Sequence, residues 1–308
     1  LPGTGILKLP DYQAEYGVGG YGRYSYNGGT TYTGDYYDAF GENWGPRTNG
    51  ANIVQWNSNG EAVPFNAAPD NVRNFFQTGI TTRNHVAMSN STEDSDFRVG
   101  YTHLGSRGIV PNTDLTRHTL SMSAGQDFMD RLHLRTNFNY VRSASDNVPN
   151  AGYDESSSIM YNWIWFPRNT PVADLQDYWK PGQQDVQQAN VEELWTNNPW
   201  FVVNENTNGF EADRVFGNTA LDFDLTDRIN IRYRFGMDVN NDQRQFRRAM
   251  STKSVLLGSY REDNIGFQET NSELLISYDG VDYEKDLNFS VRAGGNIMRQ
   301  SSTTLRAN

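Results

Sequence analysis

Aromatic side chains are concentrated between residues 142 and 212 of this sequence. Tryptophan and tyrosine rings can stack on sugar rings, and they are favoured contact residues in protein interfaces. The same rings also pack a long loop onto itself or lie at a membrane interface, and the sequence leaves this alternative open. The candidates for contact with a ligand or with a protein lid are Trp163, Trp165, Tyr178, Trp179, Trp195 and Trp200.

Imidazole side chains could supply metal ligands, but their positions in the two-residue strand period place them on different faces. The four histidines, His85, His103, His118 and His133, lie on consecutive predicted strands. His103 and His118 share the phase of apolar neighbours, whereas His133 shares the polar phase. The imidazoles are therefore not expected to converge on a metal ion, and we predict no metal site.

Two acidic pairs offer the oxygen ligands that Ca²⁺ prefers. They are Asp222 and Asp224 on a predicted strand, and Asp279 and Asp282 in a predicted turn. Neither pair follows the spacing of an EF-hand loop, and carboxylates on a wet face or in a turn are the simpler interpretation. We predict no cofactor, with Ca²⁺ in a complete assembly as the alternative.

Motifs of known enzymes are missing or out of context. Residues 17–22 match GxGxxG, but no strand before them or helix after them is legible, so strand-edge glycines are expected. The sequence contains no GxSxG, HExxH or phosphate-binding loop, and it has no cysteine. Its net charge of −11 argues against nucleic acid as a partner, because phosphate binding needs clustered Lys and Arg. We predict that the protein is not an enzyme.

The elements that carry these residues are predicted to be β-strands, because apolar residues recur at every second position. A strand sends alternate side chains to opposite faces, so such a run has one apolar and one polar face. A transmembrane strand needs about 9–11 residues, apolar toward lipid and polar toward the lumen. We predict as lipid-facing Ile229, Ile231, Tyr233, Phe235, Met237 and Val239, and as lumen-facing Arg131, Arg135, Arg232 and Arg234.

Eight alternating segments are joined by connections that are short and long in turn. Outer-membrane barrels have short periplasmic turns and longer extracellular loops. The long connections are predicted at residues 105–114, 142–212 and 241–271, and the short ones at 90–96, 127–130, 226–228 and 279–286. Before them, residues 21–26 and 30–37 are predicted as short strands and 71–78 as a helical turn.

The composition agrees with such a barrel. Only 36% of the 308 residues are hydrophobic while 13% are aromatic, a balance that suits a wall with a wet interior. No run of 18 apolar residues exists, so a transmembrane helix is not predicted. The expected fold class is all-β: an antiparallel transmembrane β-barrel portion of about 8–10 strands with long extracellular loops.

Several short stretches together resemble the SusC/RagA family of TonB-dependent outer-membrane transporters. They occur in the family's order and span nearly the whole chain. They are LPDY at 9–12, GENWGP at 41–46, NVRNFFQTG at 71–79, GIVPNTD at 108–114, WFPRN at 165–169, NPWF at 198–201 and DRVFGN at 213–218.

The resemblance implies an import barrel of the 22-stranded, plugged type in the bacterial outer membrane. Family members take up glycan or peptide fragments with energy passed on by TonB, and they pair with a SusD-like surface lipoprotein that forms a lid. This sequence shows no plug domain, TonB-contact segment or closing C-terminal strand. We therefore expect residues 1–308 to be the first part of the barrel wall, with 142–212 as a long extracellular loop.

Two alternatives remain open at this point. A secreted soluble β-protein that binds carbohydrate through its loop aromatics would explain the alternation and the tryptophans. It would not explain strands of about 11–13 residues, against a usual 5–6. A SusC-like barrel that serves as a scaffold in an outer-membrane assembly would leave the same sequence pattern.

Overall fold

The computed structural model describes residues 12–20, 24, 43–191, 195–282 and 287–308. The strands predicted at 21–26 and 30–37 lie outside these ranges, apart from Tyr24. The helices in the described chain are too short and too polar to cross a bilayer.

The described chain is dominated by strands. A small hairpin and a helix come first: β1 (Asn49–Val54), β2 (Ala62–Asn66) and α1 (Asn71–Phe75). Four strands follow: β3 (Ile80–Ser91), β4 (Ser95–Arg107), β5 (Asp114–Phe128) and β6 (Leu132–Ser145). Next come α2 (Ile159–Trp165), a 3-10 turn (Val172–Leu175) and α3 (Pro199–Glu205). The longest strands close the order: β7 (Asn208–Thr226), β8 (Ile229–Arg248), β9 (Ser259–Asp282) and β10 (Leu287–Ala307).

Strands β3 to β10 form one eight-stranded antiparallel sheet in which every strand pairs with its neighbours in sequence. This meander follows from the connections, because a short turn can join only adjacent antiparallel strands. The predicted all-β, antiparallel fold is confirmed, and so is the helical turn after residue 71. Short turns lie at one end of the sheet and longer loops at the other.

The predicted loop over residues 241–271 is wrong. Strand β8 continues to Arg248 and β9 begins at Ser259, so only residues 249–258 connect them. In residues 241–271 the apolar period is lost, because Phe246, Ile265 and Phe267 lie on the face of Arg232 while the other face is mostly polar. The backbones nevertheless pair through Arg248 and Ser259. The long insertion is likewise shorter than predicted, because β6 runs to Ser145 and β7 begins at Asn208.

The apolar core lies at the loop end, outside the eight-stranded sheet. It joins Val18, Phe65, α1 and residues of the long loop. We call this region, residues 12–20, 43–79, 146–191 and 195–207, the cap. Its centre holds Phe75, Trp163 and Phe166, with ring centroids 5.2 Å apart for Phe75–Trp163 and 4.9 Å for Trp163–Phe166.

Glycines of the GxGxxG match serve this core. A Cβ on Gly17 would lie 2.4 Å from the ring of Phe65, which is fully buried, and Gly19 has a φ of +118°. Residues 16 and 19 form only isolated bridges, with residues 47 and 43. These glycines are required for close packing and backbone conformation.

Candidate functional site

The sheet has one continuous apolar face. Residues paired directly across neighbouring strands share a face, and Ile231 pairs with Phe223 on β7 and with Ile276 on β9. Following these pairs across all eight strands gives Val86, Met88, Val99, Tyr101, Leu120, Met122, Leu134, Phe138, Val215, Leu221, Phe223, Leu274, Ile276, Tyr278, Phe289 and Val291, together with the residues predicted to face lipid.

None of these side chains is covered within the described chain. Ile276 is 44% exposed, Phe235 38% and Val86 66%, and no residue of β3 to β10 is among the buried hydrophobic residues. A contiguous apolar surface of this extent marks a face that contacts a protein or a membrane.

Two tyrosines mark the border of the apolar face nearest the cap. The Tyr101 hydroxyl lies 2.7 Å from Nδ1 of His118, and the Tyr140 hydroxyl donates a hydrogen bond to Asp213 at 2.5 Å. Beyond them on the same face lies Arg142, which forms ion pairs with Asp213 and Glu211. An aromatic ring on apolar surface with its hydroxyl among polar groups is typical of a membrane–water interface.

The opposite, polar face carries ion pairs between neighbouring strands. Arg232 contacts Asp222 at 2.5 Å, and Arg234 contacts Glu273 at 3.2 Å. Arg135 binds Asp127 at 2.8 Å. These three arginines lie on the face opposite to the apolar one.

Arg131, the fourth arginine predicted to face the lumen, does not lie on a strand. It follows Asp130 in the turn between β5 and β6, and its Nη1 lies 3.5 Å from the carbonyl oxygen of Leu225. Because Arg131 lies in a turn, the two-residue period of the strands does not determine the direction of its side chain.

The histidines divide between the two faces. His103 and His118 are direct partners on the apolar side, with ring centroids 5.0 Å apart, whereas His85 and His133 lie on the polar side. His133 contacts Asp127 and Asp224. Within the described ranges, no group of three His, Asp or Glu side chains is arranged so that it could hold a metal ion. Asp222 and Asp224, considered above as alternative calcium ligands, contact other side chains: Asp222 contacts Arg232, and Asp224 contacts His133 and Asn230.

The six candidate aromatics fall into three groups by burial. Trp163 is 2% exposed, so it is a core residue that offers no surface to a ligand. Tyr178, Trp179 and Trp200 are half-buried, and their rings pack on Phe201 or Phe75. Trp165 and Trp195 are exposed, at 47% and 46%.

Tyr178 and Trp200 are also anchored by their polar atoms. The Tyr178 hydroxyl donates to Glu205 at 3.0 Å, and burial together with this carboxylate raises the pKa of Tyr178 to about 12. Nε1 of Trp200 donates to the carbonyl of Val172 at 3.0 Å. Both side chains therefore stabilise the cap, and among the six only Trp165 and Trp195 are exposed by more than a third.

Buried asparagines, which the sequence analysis did not identify, hold the cap together. The Asn198 side chain accepts from the amide of Trp200 and donates to the carbonyls of Leu175 and Ala189 at 2.8–2.9 Å. Asn206 donates to the carbonyl of Ser156 at 2.5 Å and accepts from the amide of Ala249. The only sequence signal is their density between residues 190 and 208.

A cavity of about 840 Å³ lies where the cap meets the ends of β7, β8 and β9. Arginines 244, 248 and 261 line it, beside Phe210 and Phe246. The sequence analysis missed these arginines because it interpreted residues 241–271 as a loop. The available sequence signal was the recurrence of Arg244, Phe246 and Arg248 at every second position, which places them on one face of a strand.

Comparison with known proteins gives a likeness of fold. No family model matches this chain, and no curated protein sequence matches it. Two solved structures of the RagAB peptide importer, in the closed-closed and open-open states, match with TM-scores of 0.58 and 0.60 at 12% identity. A structure of the RagAB peptide transporter matches with a TM-score of 0.58 at 12% identity.

These matches cover 77–78% of this chain but only 26–27% of the matched chains. The chain therefore corresponds to about a quarter of the length of its structural neighbours. At this identity, the described chain shares its fold with part of an importer.

Proposed function

We propose that this chain forms part of the wall of an outer-membrane import barrel, with its apolar face toward lipid and its polar face toward a wet lumen. One observation carries the proposal: eight strands present a continuous apolar face, and no described residue covers it. Soluble domains bury such a face against a second layer. Lipid can cover the apolar face of such a sheet while its opposite, charged face stays in contact with water.

The dimensions of the apolar face support a membrane span. On β8 the alternation runs from Ile229 to Val239, within the length of about 9–11 residues that a tilted transmembrane strand needs. The interfacial tyrosines lie at the end nearest the cap. The cap would then face the outside, where barrels carry their long loops.

The proposed activity is TonB-dependent import of glycan or peptide fragments with a SusD-like lipoprotein as lid. The fold likeness to the RagAB peptide importer and the motifs shared with the SusC/RagA family support it. Among the six candidate aromatics, Trp165 and Trp195 are the best placed to contact a lid or a passing ligand, because each exposes nearly half of its surface.

Two substitutions on neighbouring residues test the orientation of the sheet. Ile276 lies on the apolar face, and Leu275 lies on the polar face opposite Arg232. We expect Ile276→Arg to reduce the stability of the inserted barrel by about 2–4 kcal/mol, because arginine at mid-bilayer is costly on the lipid side. Leu275→Arg also replaces an aliphatic side chain by arginine, but on the face proposed to contact water, so its effect on barrel stability is expected to be small.

Both variants are to be made in the full-length protein. The measurements are the amount that fractionates with outer membranes and the share that migrates as heat-sensitive folded barrel. Equal recovery of the two variants would contradict the assigned faces. A wild-type chain that stays soluble without detergent would overturn the membrane proposal itself and favour a secreted carbohydrate-binding protein.

A further inference from the structure

The cavity beneath the cap is built on the polar face of the sheet. Arg244 pairs in register with Phe210 on β7 and with Asp263 on β9, and Phe246 pairs with Arg261. These residues share one face with Arg232 and Arg234, whose positions follow the same two-residue period. In the proposed barrel, the cavity therefore opens to the lumen at its outer end.

Cationic groups outnumber carboxylates around this cavity. Asp242 binds Arg244 at 2.6 Å, while Asp263 is shared between Arg306 at 2.8 Å and Arg261 at 3.4 Å. Arg248 donates to neutral oxygens of Ser156, Thr207 and Asn208, and the nearby carboxylate is Asp154 of the cap. Of the charged residues that line the cavity, three are arginines (244, 248 and 261) and one is a carboxylate (Asp242), so positive charge is in excess.

Arg261 is the arginine with spare binding capacity. Its guanidinium carbon lies 4.0 Å from the centroid of the Phe246 ring, which fixes the orientation of the guanidinium. Its buried Nε lies 3.4 Å from Asp263 without forming a hydrogen bond, its two Nη groups form no hydrogen bond within the described residues, and 38% of the side chain is exposed. An oriented guanidinium with unused donors is suited to bind a carboxylate through two parallel hydrogen bonds.

Apolar surface lies beside this charge. Phe210 and Val255 line the cavity, with Val148 and Pro149 of the cap on the other side. The volume is within the range of about 300–1,000 Å³ that small-ligand sites occupy. The site therefore combines a positive anchor with room for several units of a chain that has apolar surfaces.

We propose that this cavity is a binding site for acidic oligomers, in which Arg261 holds a carboxylate of the ligand as it enters the barrel. The inference rests on the proposed import function and adds the substrate class. Uronic-acid glycans and acidic peptides carry the same carboxylate chemistry, and the experiment distinguishes them.

Binding is to be measured by calorimetry on the full-length protein, folded in detergent, with four probes. Tetragalacturonate and tetraglutamate carry carboxylates, while maltotetraose and tetraglutamine are neutral counterparts. We expect one or both acidic probes to bind, and the neutral counterparts to bind at least about tenfold more weakly, because a hydrogen bond to a charged group is lost. The acidic probe that binds shows whether the ligand is a uronic-acid glycan or an acidic peptide.

The variants separate charge from geometry. Arg261→Gln is expected to weaken binding of the acidic probe about tenfold or more, and Arg261→Lys to restore part of it, because lysine keeps the charge without the planar fork. Arg292→Gln is the matched control, since Arg292 lies on the same face but pairs with Ser277, toward the short turns. It should bind like wild type.

Unchanged binding in Arg261→Gln, equal binding of acidic and neutral probes, or no binding by folded protein would each overturn the proposal. Membrane fractionation of the same preparations reports separately on the barrel. An inserted barrel without acidic-probe binding refutes the site alone, whereas a soluble chain refutes the import function.

Discussion

The eight-stranded sheet and the cap distribute their apolar side chains in opposite ways. In the cap, Trp163, Phe75 and Phe166 are at most 2% exposed and contact one another. In the sheet, apolar residues such as Ile276 and Phe235 remain more than a third exposed. Every buried hydrophobic residue of the described chain lies outside β3 to β10.

This difference indicates two kinds of stability in one chain. The cap has an apolar core of its own, so the hydrophobic effect in water stabilises it as it would a small soluble domain. The sheet is held by backbone hydrogen bonds between strands, and its apolar face gains free energy only from surroundings that exclude water. The same type of substitution should therefore have different consequences in the two regions.

The largest expected effect is the loss of the central ring of the cap. Trp163→Ala should destabilise the cap by about 3–5 kcal/mol, because a large buried side chain is replaced by a cavity. The sheet should still assemble, since no residue of β3 to β10 belongs to this core. Proteolysis of the cap and gel migration of the heat-sensitive barrel measure the two regions separately.

Trp165→Ala is the matched control for this prediction. Trp165 lies two residues further along, in the same helix, and is 47% exposed. Its replacement should change cap stability by no more than about 0.5 kcal/mol. If Trp163→Ala also prevented assembly of the barrel, the cap and the sheet would fold as one unit and the contrast between them would not hold.

A smaller effect is expected from a buried polar residue of the cap. Asn198→Ala removes the N-cap side chain of helix α3 and its two hydrogen bonds to the carbonyls of Leu175 and Ala189. It should lower the stability of the cap region by about 1–3 kcal/mol, because buried polar groups lose their partners. Hydrogen exchange of the amides in α3 reports the loss.

Asn198→Ser sharpens this second test. Serine still accepts a hydrogen bond from the first turn of the helix but cannot make both donations. It should therefore lie between wild type and alanine in the protection of α3. Equal protection in all three proteins would mean that apolar packing alone holds the helix.

The contrast also explains how far the sequence predicts the structure. Strands such as β8 are legible because one apolar and one polar face impose a strict two-residue period over Ile229 to Val239. Beyond Val239 the only apolar side chain on β8 is Phe246, so the apolar period disappears and the strand continues unrecognised to Arg248. Pairing with β9 decides its length there, and pairing is a long-range property.

The candidate site was only partly predictable for the same reason. Aromatic residues of the long loop were identifiable by type, but burial separates Trp163 from Trp165, and burial depends on how α2 packs against α1 within the cap. The cavity arginines were missed because Arg244 and Arg261 come together only through the register of β8 and β9. Local sequence contains no record of that register.

The smallest predicted effect concerns the polar face. Arg234→Ala removes an ion pair with Glu273 in which the side chains are 51% and 32% exposed, and it should cost under about 1 kcal/mol because water screens the charges. The urea midpoint of the folded barrel, compared with that of Glu273→Gln and of the double variant, isolates the pair. A coupling of several kcal/mol would mean that this face is as dry as the core of the cap, and the lumen would then be filled by protein rather than by water.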